Sequence, residues 1–100
     1  MEFGVRNLIN DRGNYVANQF VIKTTNGTYF QSYNSVVAKV DNKGNLFLSQ
    51  DWDYSNTTRK HLYIFLRNYG FHDYCTAKDM RKAIKDGEVI LKNVDSLDVD

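Results

Sequence analysis

Between Asn18 and Ser49 the chain alternates apolar and polar positions, and from Thr57 onward the apolar spacing lengthens to three and four. The first habit belongs to half-buried strands and the second to amphipathic helices. Asn18-Gln19-Phe20-Val21-Ile22-Lys23-Thr24 is rich in β-branched residues and reads as a strand. Asn26-Gly27 after it predicts a two-residue type I′ hairpin turn, in which both central positions need φ above zero. Thr28 to Tyr33 returns as the second strand. Ser35 to Val40 is the third, with Val36, Ala38 and Val40 on one face, and Leu46 to Ser49 is the fourth. The turn formers Asp41-Asn42-Lys43-Gly44-Asn45 separate those two. Short turns throughout imply an antiparallel meander.

A meander with Phe20, Ile22, Val36, Ala38, Val40, Leu46 and Leu48 facing inwards needs an apolar cover. Leu62, Phe65, Leu66 and Tyr69 supply it at i, i+3, i+4 and i+7 of a helix that starts after Ser55 or Asn56 and stops at Gly70. Thr76-Ala77-Lys78-Asp79 resembles a capping box and opens a second helix, with Ala77, Met80, Ala83 and Ile84 on its apolar side and Gly87 at its end. The expected fold is α+β: an antiparallel sheet of four or five strands with two helices packed on one face. As a single domain it divides into an arm or short helix over 1–17, a β-meander over 18–50, two helices over 55–87, an edge strand over 88–94 and an acidic tail over 95–100.

Composition narrows the function classes. The chain has 100 residues, 42% hydrophobic, with 13 Lys+Arg against 12 Asp+Glu. Near-neutrality argues against a strongly basic coat for nucleic acid and against an acidic mimic of it. The apolar content argues against general disorder. A lone cysteine, Cys75, makes no internal disulfide, and no apolar run is long enough for a secretory signal or a bilayer span. A cytoplasmic protein is the expectation. The eleven Asn residues fall mostly at predicted turns and caps, so Asn26-Gly27-Thr28 and Asn56-Thr57-Thr58 are read as turn chemistry rather than glycosylation sites.

Candidate chemistry is sparse. A zinc site needs four N or S ligands, and His61, His72 and Cys75 fall short even with Asp73 beside them. Cys75 as a nucleophile has no elbow or oxyanion donors nearby. Asp51 and Asp53 flank Trp52 without a third carboxylate or a phosphate loop, and read as a strand end. No catalytic residue, metal or cofactor is assigned, and the chain is expected not to be an enzyme. Two surfaces remain. Residues 59–92 carry eight cations against four acids, and Lys78, Arg81, Lys82 and Lys85 share one side of the second helix. With Arg59 and Lys60 they could track a phosphate backbone. Tyr29, Gln31, Tyr33 and Phe47 could share an outer sheet face with Val21, Lys23 and Val37, as aromatic anchors for a protein partner or stacking platforms for bases. The opposite register would put Tyr29 and Tyr33 inside and Phe30 outside.

Asn18-Gln19-Phe20-Val21-Ile22, Asn26-Gly27-Thr28-Tyr29-Phe30-Gln31-Ser32-Tyr33, Ser35-Val36-Val37-Ala38 and Trp52-Asp53-Tyr54-Ser55, with Thr57-Thr58 just after, form a recognisable series. It resembles a family of small domains from phages and mobile elements of Gram-positive bacteria. The resemblance covers the middle of the chain and carries over no catalytic residue. It implies a setting in which small accessory proteins bind host or phage machinery, inhibitors of CRISPR and other defence systems among them. The function expected is therefore binding to another protein, and the resemblance implies inhibition of a host defence complex such as a CRISPR effector nuclease. The alternative is an accessory nucleic-acid binder using the basic faces of the two helices.

Overall fold

A computed structural model describes residues 4–92. Six strands form one sheet in sequence order: β1 (Gly4–Ile9), β2 (Tyr15–Thr24), β3 (Gly27–Ser32), β4 (Ser35–Asp41), β5 (Leu46–Leu48) and β6 (Ile90–Leu91). The first five run antiparallel to their neighbours, and β6 joins β5 in parallel after a helical crossover. That crossover holds a 3-10 turn at Gln50–Asp53, α1 (Asn56–Asn68) and α2 (Ala77–Lys85). The α+β class and the two helices are as expected, but the sheet has six strands rather than four or five. The extra one is β1, where the weak pattern of residues 1–17 pointed to an arm or a short helix. Only Leu8 of β1 is fully buried, so no alternation announces it. Of the expected edge strand over 88–94, Ile90–Leu91 is the strand; residues 93–94 and the acidic tail at 95–100 lie outside the described residues.

Both faces of the sheet carry apolar side chains. Towards the helices lie Leu8, Val21, Phe30, Val37, Ala38, Leu46 and Leu48, packed with Trp52, Leu62, Phe65, Leu66, Met80, Ala83 and Val89. On the opposite face Ile22, Tyr29 and Val36 form a second cluster with Phe20 and Phe47 against it. The expected inward set is thus split. Ala38, Val40, Leu46 and Leu48 meet the helices, whereas Phe20, Ile22 and Val36 face away. The ladder gives the reason: Val21 is opposite Phe30 and Ile22 is opposite Tyr29, and directly opposed residues share a face. The β3–β4 register then slips between Phe30 and Gln31, which inserts Val37 as an extra residue. One inserted residue breaks the alternation, so the neighbours Val37 and Ala38 both join the helix-side cluster while Val36 faces away.

The first hairpin closes one residue earlier than Asn26-Gly27 predicts. Thr24 pairs with Gly27 across a two-residue Thr25-Asn26 turn. The Thr24 hydroxyl accepts from the Asn26 amide at 3.1 Å, a local bond that fixes this closure. Gly27, at φ +143°, then begins β3 so close to β4 that a Cβ would collide with the Val40 carbonyl oxygen and sit 2.9 Å from the Asp41 Cα. The helix starts follow the sequence signals: Ser55 Oγ accepts from the Thr58 amide, and Thr76 Oγ1 from the Asp79 amide, both at 3.1 Å. At its other end α1 terminates through Gly70 at φ +90°, with the Phe71 amide donating back to the Leu66 carbonyl. Replacing Gly27 with alanine adds both a backbone clash and an unfavourable φ. Urea denaturation of Gly27→Ala is expected to show a loss of about 2 kcal/mol or more.

Candidate functional site

In a meander, alternate connections gather at alternate ends of the sheet. The β1–β2 loop, the Tyr33-Asn34 turn between β3 and β4, and the exit from β5 therefore lie at one end, and α1 begins there. Between the β3–β4 hairpin and the start of α1 is a cleft of about 440 Å³. Ser32, Tyr33, Asn34, Ser35 and Val37 form one bank. Tyr54, Ser55 and Thr58 form the other. Its volume falls in the range of small-ligand and side-chain pockets.

The rim is aromatic and the floor is polar. Tyr33 is 56% exposed and Tyr54 82%, with Tyr15 exposed at the same end of the sheet. Tyr33 holds φ +54° at the hairpin tip, and its amide donates to the Asn18 carbonyl at 2.7 Å. Asn18 has φ +64°, so two non-glycine residues in left-handed backbone brace one another. Such conformations cost about 1–2 kcal/mol each for a side chain with a Cβ. Gln31 Nε2 donates to the Tyr33 carbonyl at 2.7 Å and stiffens the same turn. Beneath it, Ser32 and Gln19 oppose each other across β3 and β2 and are almost wholly buried. Neither Ser32 Oγ nor Gln19 Oε1 has a hydrogen-bond partner.

The aromatic surface expected from the sequence is only partly available. Tyr29, Gln31 and Phe47 do share the sheet face away from the helices, together with Phe20, Ile22 and Val36 rather than with Val21 and Val37. Tyr29 is completely buried, with Lys39 Nζ 5.4 Å above its ring. Phe47 is half-buried under Lys39 and Lys92 at 5.9 and 5.7 Å. Tyr33 is the member of the set that is more than half exposed. Tyr54 was missed because it reads as part of a connection. Its one signal is a large aromatic directly before a helix cap, where neither core period reaches it.

The basic residues divide between structural use and exposure. Arg59 donates through Nη1 to the Asp53 carbonyl at 3.1 Å and also to the Asn56 side chain. Arg81 lies 3.6 Å from the Asp53 carboxylate and 5.8 Å over the Trp52 ring. The two arginines thus pin the 3-10 turn to both helices. Arg67 grips Asp11 through two contacts of 2.8 and 3.1 Å, tying α1 to the β1–β2 loop. Lys78, Lys82 and Lys85 are exposed along the outer side of α2, and Lys60 is exposed on α1.

The remaining candidates have ordinary surroundings. Cys75 is exposed, its thiol 3.2 Å from the His72 carbonyl in the link between the helices. Asp53 is occupied by Arg81, and the Asp51 side chain lies outside the described residues. Among the described residues no three His, Cys, Asp or Glu side chains are grouped to hold a metal ion, and no helix is long and apolar enough to cross a membrane. Burial pushes the His61 imidazole below its ordinary value, and Lys60 adds to the effect.

What the fold and the cleft define is a small α+β domain with a hydroxyl-lined, tyrosine-rimmed recess at one end of its sheet. The chain belongs to a family of unknown function, DUF8033, whose model matches residues 3–86. That span includes every residue of the cleft and all of α2. No curated protein and no solved structure matches the chain.

A histidine whose folded pKa lies below its unfolded one stabilises the fold above the unfolded value and loses that contribution as pH falls. Acidification from about pH 7.5 to about pH 5 is therefore expected to lower the denaturation midpoint of the native chain more than that of His61→Gln.

Proposed function

We propose that this domain is a non-enzymatic binding protein whose partner is another protein, held at the tyrosine-rimmed cleft. The observation that carries the reading is the placement of Tyr33 and Tyr54 on the two banks, both widely exposed. Tyrosine is among the residues that concentrate binding energy at protein interfaces, because it gives a large rigid contact with a polar tip. A cost in backbone strain at Tyr33, where glycine would sit without one, supports a role for that ring beyond the fold. A host defence complex is the partner that the resemblance to phage and mobile-element domains implies. The cytoplasm is the compartment that fits a chain with one unpaired cysteine.

A second reading is nucleic-acid contact through α2, favoured by the exposed stripe of Lys78, Lys82 and Lys85. Salt separates the two. Three phosphate contacts make affinity fall about fortyfold between 50 and 200 mM salt by counter-ion release. A tyrosine-anchored protein contact changes little over that range.

Tyr33→Gly removes the ring and relieves the strain together. Its expected signature is a folding stability unchanged or higher by about 1 kcal/mol with partner capture lost. Tyr54→Ala is expected to lose capture at unchanged stability, and the triple Lys78→Ala, Lys82→Ala, Lys85→Ala variant to keep it. Capture that survives both tyrosine changes would sink the protein-binding reading.

A further inference from the structure

We infer that the outer edge of β1 takes up an extended segment of a partner protein as an added strand, one in which two acidic residues flank an apolar one. This surface is separate from the tyrosine-rimmed cleft, and the inference goes beyond the reading of that cleft. Among the described residues β1 has a ladder neighbour, β2, on one side only. In an antiparallel edge strand every second residue turns its N–H and C=O away from its neighbour, which leaves a template for another chain. Gly4 to Asn7 pair with Lys23 to Phe20 in unbroken register, and the bulge comes only after Asn7. A regular stretch of open edge is therefore available.

The two faces of β1 set the chemistry of the incoming strand. Arg6 is opposite Val21, which packs towards the helices, and Lys23 stands two residues from Val21 on the same face. Both line a recess of about 420 Å³ bounded by Asn68 and Tyr69 at the end of α1, and no acid is among its lining residues. Arg6 donates to the Tyr69 hydroxyl at 3.4 Å, and neither cation has an acidic partner among the described residues. Gly4 lies opposite Lys23, and a Cβ built on it would meet nothing within 4 Å. An acidic residue placed opposite Gly4 thus has open space between it and Lys23. The distance is two strand spacings, about 10 Å, which a glutamate and a lysine side chain bridge together. The second acid, two residues along, stands opposite Arg6. Between them the incoming chain meets Val5, which is 64% exposed on the other face beside Ile22. A β-branched apolar residue opposite Val5 covers it. A second copy of β1 does not fit this edge, because it brings Arg6 and Lys23 towards their own copies, and like charges across a ladder are destabilising.

The test is an amide chemical-shift titration of the ¹⁵N-labelled full chain with three capped heptapeptides. One alternates valine and glutamate, the second has glutamine for glutamate, and the third is the glutamate peptide N-methylated at its three central residues. The glutamate peptide is expected to shift the amides of Gly4 to Asn7 saturably and to slow their hydrogen exchange. The glutamine peptide is expected to bind at least tenfold more weakly, and the N-methylated one not at all. Arg6→Glu is expected to turn the preference towards a lysine counterpart of the peptide. Lys23→Gln is expected to weaken the glutamate peptide about fivefold, and it carries the same measurement should the charge reversal fail to fold. No shift in β1, equal binding of glutamate and glutamine peptides, or binding of the N-methylated peptide overturns the inference. Dimerisation of the chain alone through β1 also overturns it, since the edge would then belong to a second copy. None of these readouts involves Tyr33 or Tyr54, so a failure here leaves the cleft reading standing, and lost tyrosine dependence leaves this one.

Discussion

The Phe65 ring stacks on Phe30 with centroids 5.5 Å apart and an interplanar angle of 24°, and this contact joins α1 to the middle of the sheet. Phe30 sits in β3, with two strands on one side of it and three on the other, and both rings are fully buried. Tyr69 adds a tilted contact to Phe65 at 4.9 Å, one helical turn further on. Truncating either phenylalanine to alanine would leave a cavity costing about 3–5 kcal/mol, a large part of the stability of a domain this size. The stack also sets where α1 begins. With Phe65 fixed over Phe30, the two and a half turns before it carry the helix back to the end of the sheet where the β3–β4 hairpin projects. The cleft is a consequence of that distance.

At that end the core gives way to polar groups. Along β3 the helix-facing positions run from Phe30 to Ser32, and along β2 from Val21 to Gln19. An apolar pair at the last position would have extended the core at no cost in hydrogen bonding. Serine and glutamine there leave two buried atoms unpaired, at about 1–3 kcal/mol each. The same few residues include Asn18 and Tyr33, the two non-glycine positions with positive φ among the described residues. Unpaired polar atoms and backbone strain in one place are local departures from stability, and such departures concentrate where a surface is shaped for a ligand.

Much of the fold was legible in the sequence because the elements announce themselves. Ser55 and Thr76 cap helices with the spacing expected of them, Gly70 ends one, and Leu62, Phe65 and Leu66 repeat with a helical period. The faces of the strands were not legible. Phe20-Val21-Ile22 and Ser35-Val36-Val37-Ala38 are apolar at successive positions, so alternation cannot say which side is which. The bulge at Val37 depends on a register between strands, which no single strand encodes. Asn26-Gly27 misled because the Thr24 hydroxyl captures the Asn26 amide and moves the turn by one residue, leaving Gly27 to meet the need for close approach to β4. Of the site, Tyr33 was picked out as an aromatic on an outer sheet face, whereas the strand ends at Ser32 and Tyr33 stands at the turn. Tyr54 and Ser32 were not, since the cleft exists only once α1 is laid across the sheet.

The distribution of charge favours the cleft over the helices as the working surface. Arg59 and Arg67 already donate to oxygens within the domain and Arg81 pairs by charge with Asp53, contacts that hold the Trp52-Asp53 turn and the β1–β2 loop in place. Arginine is the side chain best suited to bidentate phosphate recognition, and these three are committed to the fold. What α2 offers outward is lysine, a strongly hydrated point charge that also serves as ordinary solubilising surface. The hydroxyls at the cleft are the reverse case. They sit close to the start of α1, whose first turn holds no acidic residue, and one of them is buried without a partner. A group that costs stability where it stands, on a surface rimmed by exposed rings, points to recognition more strongly than a charge that water already satisfies.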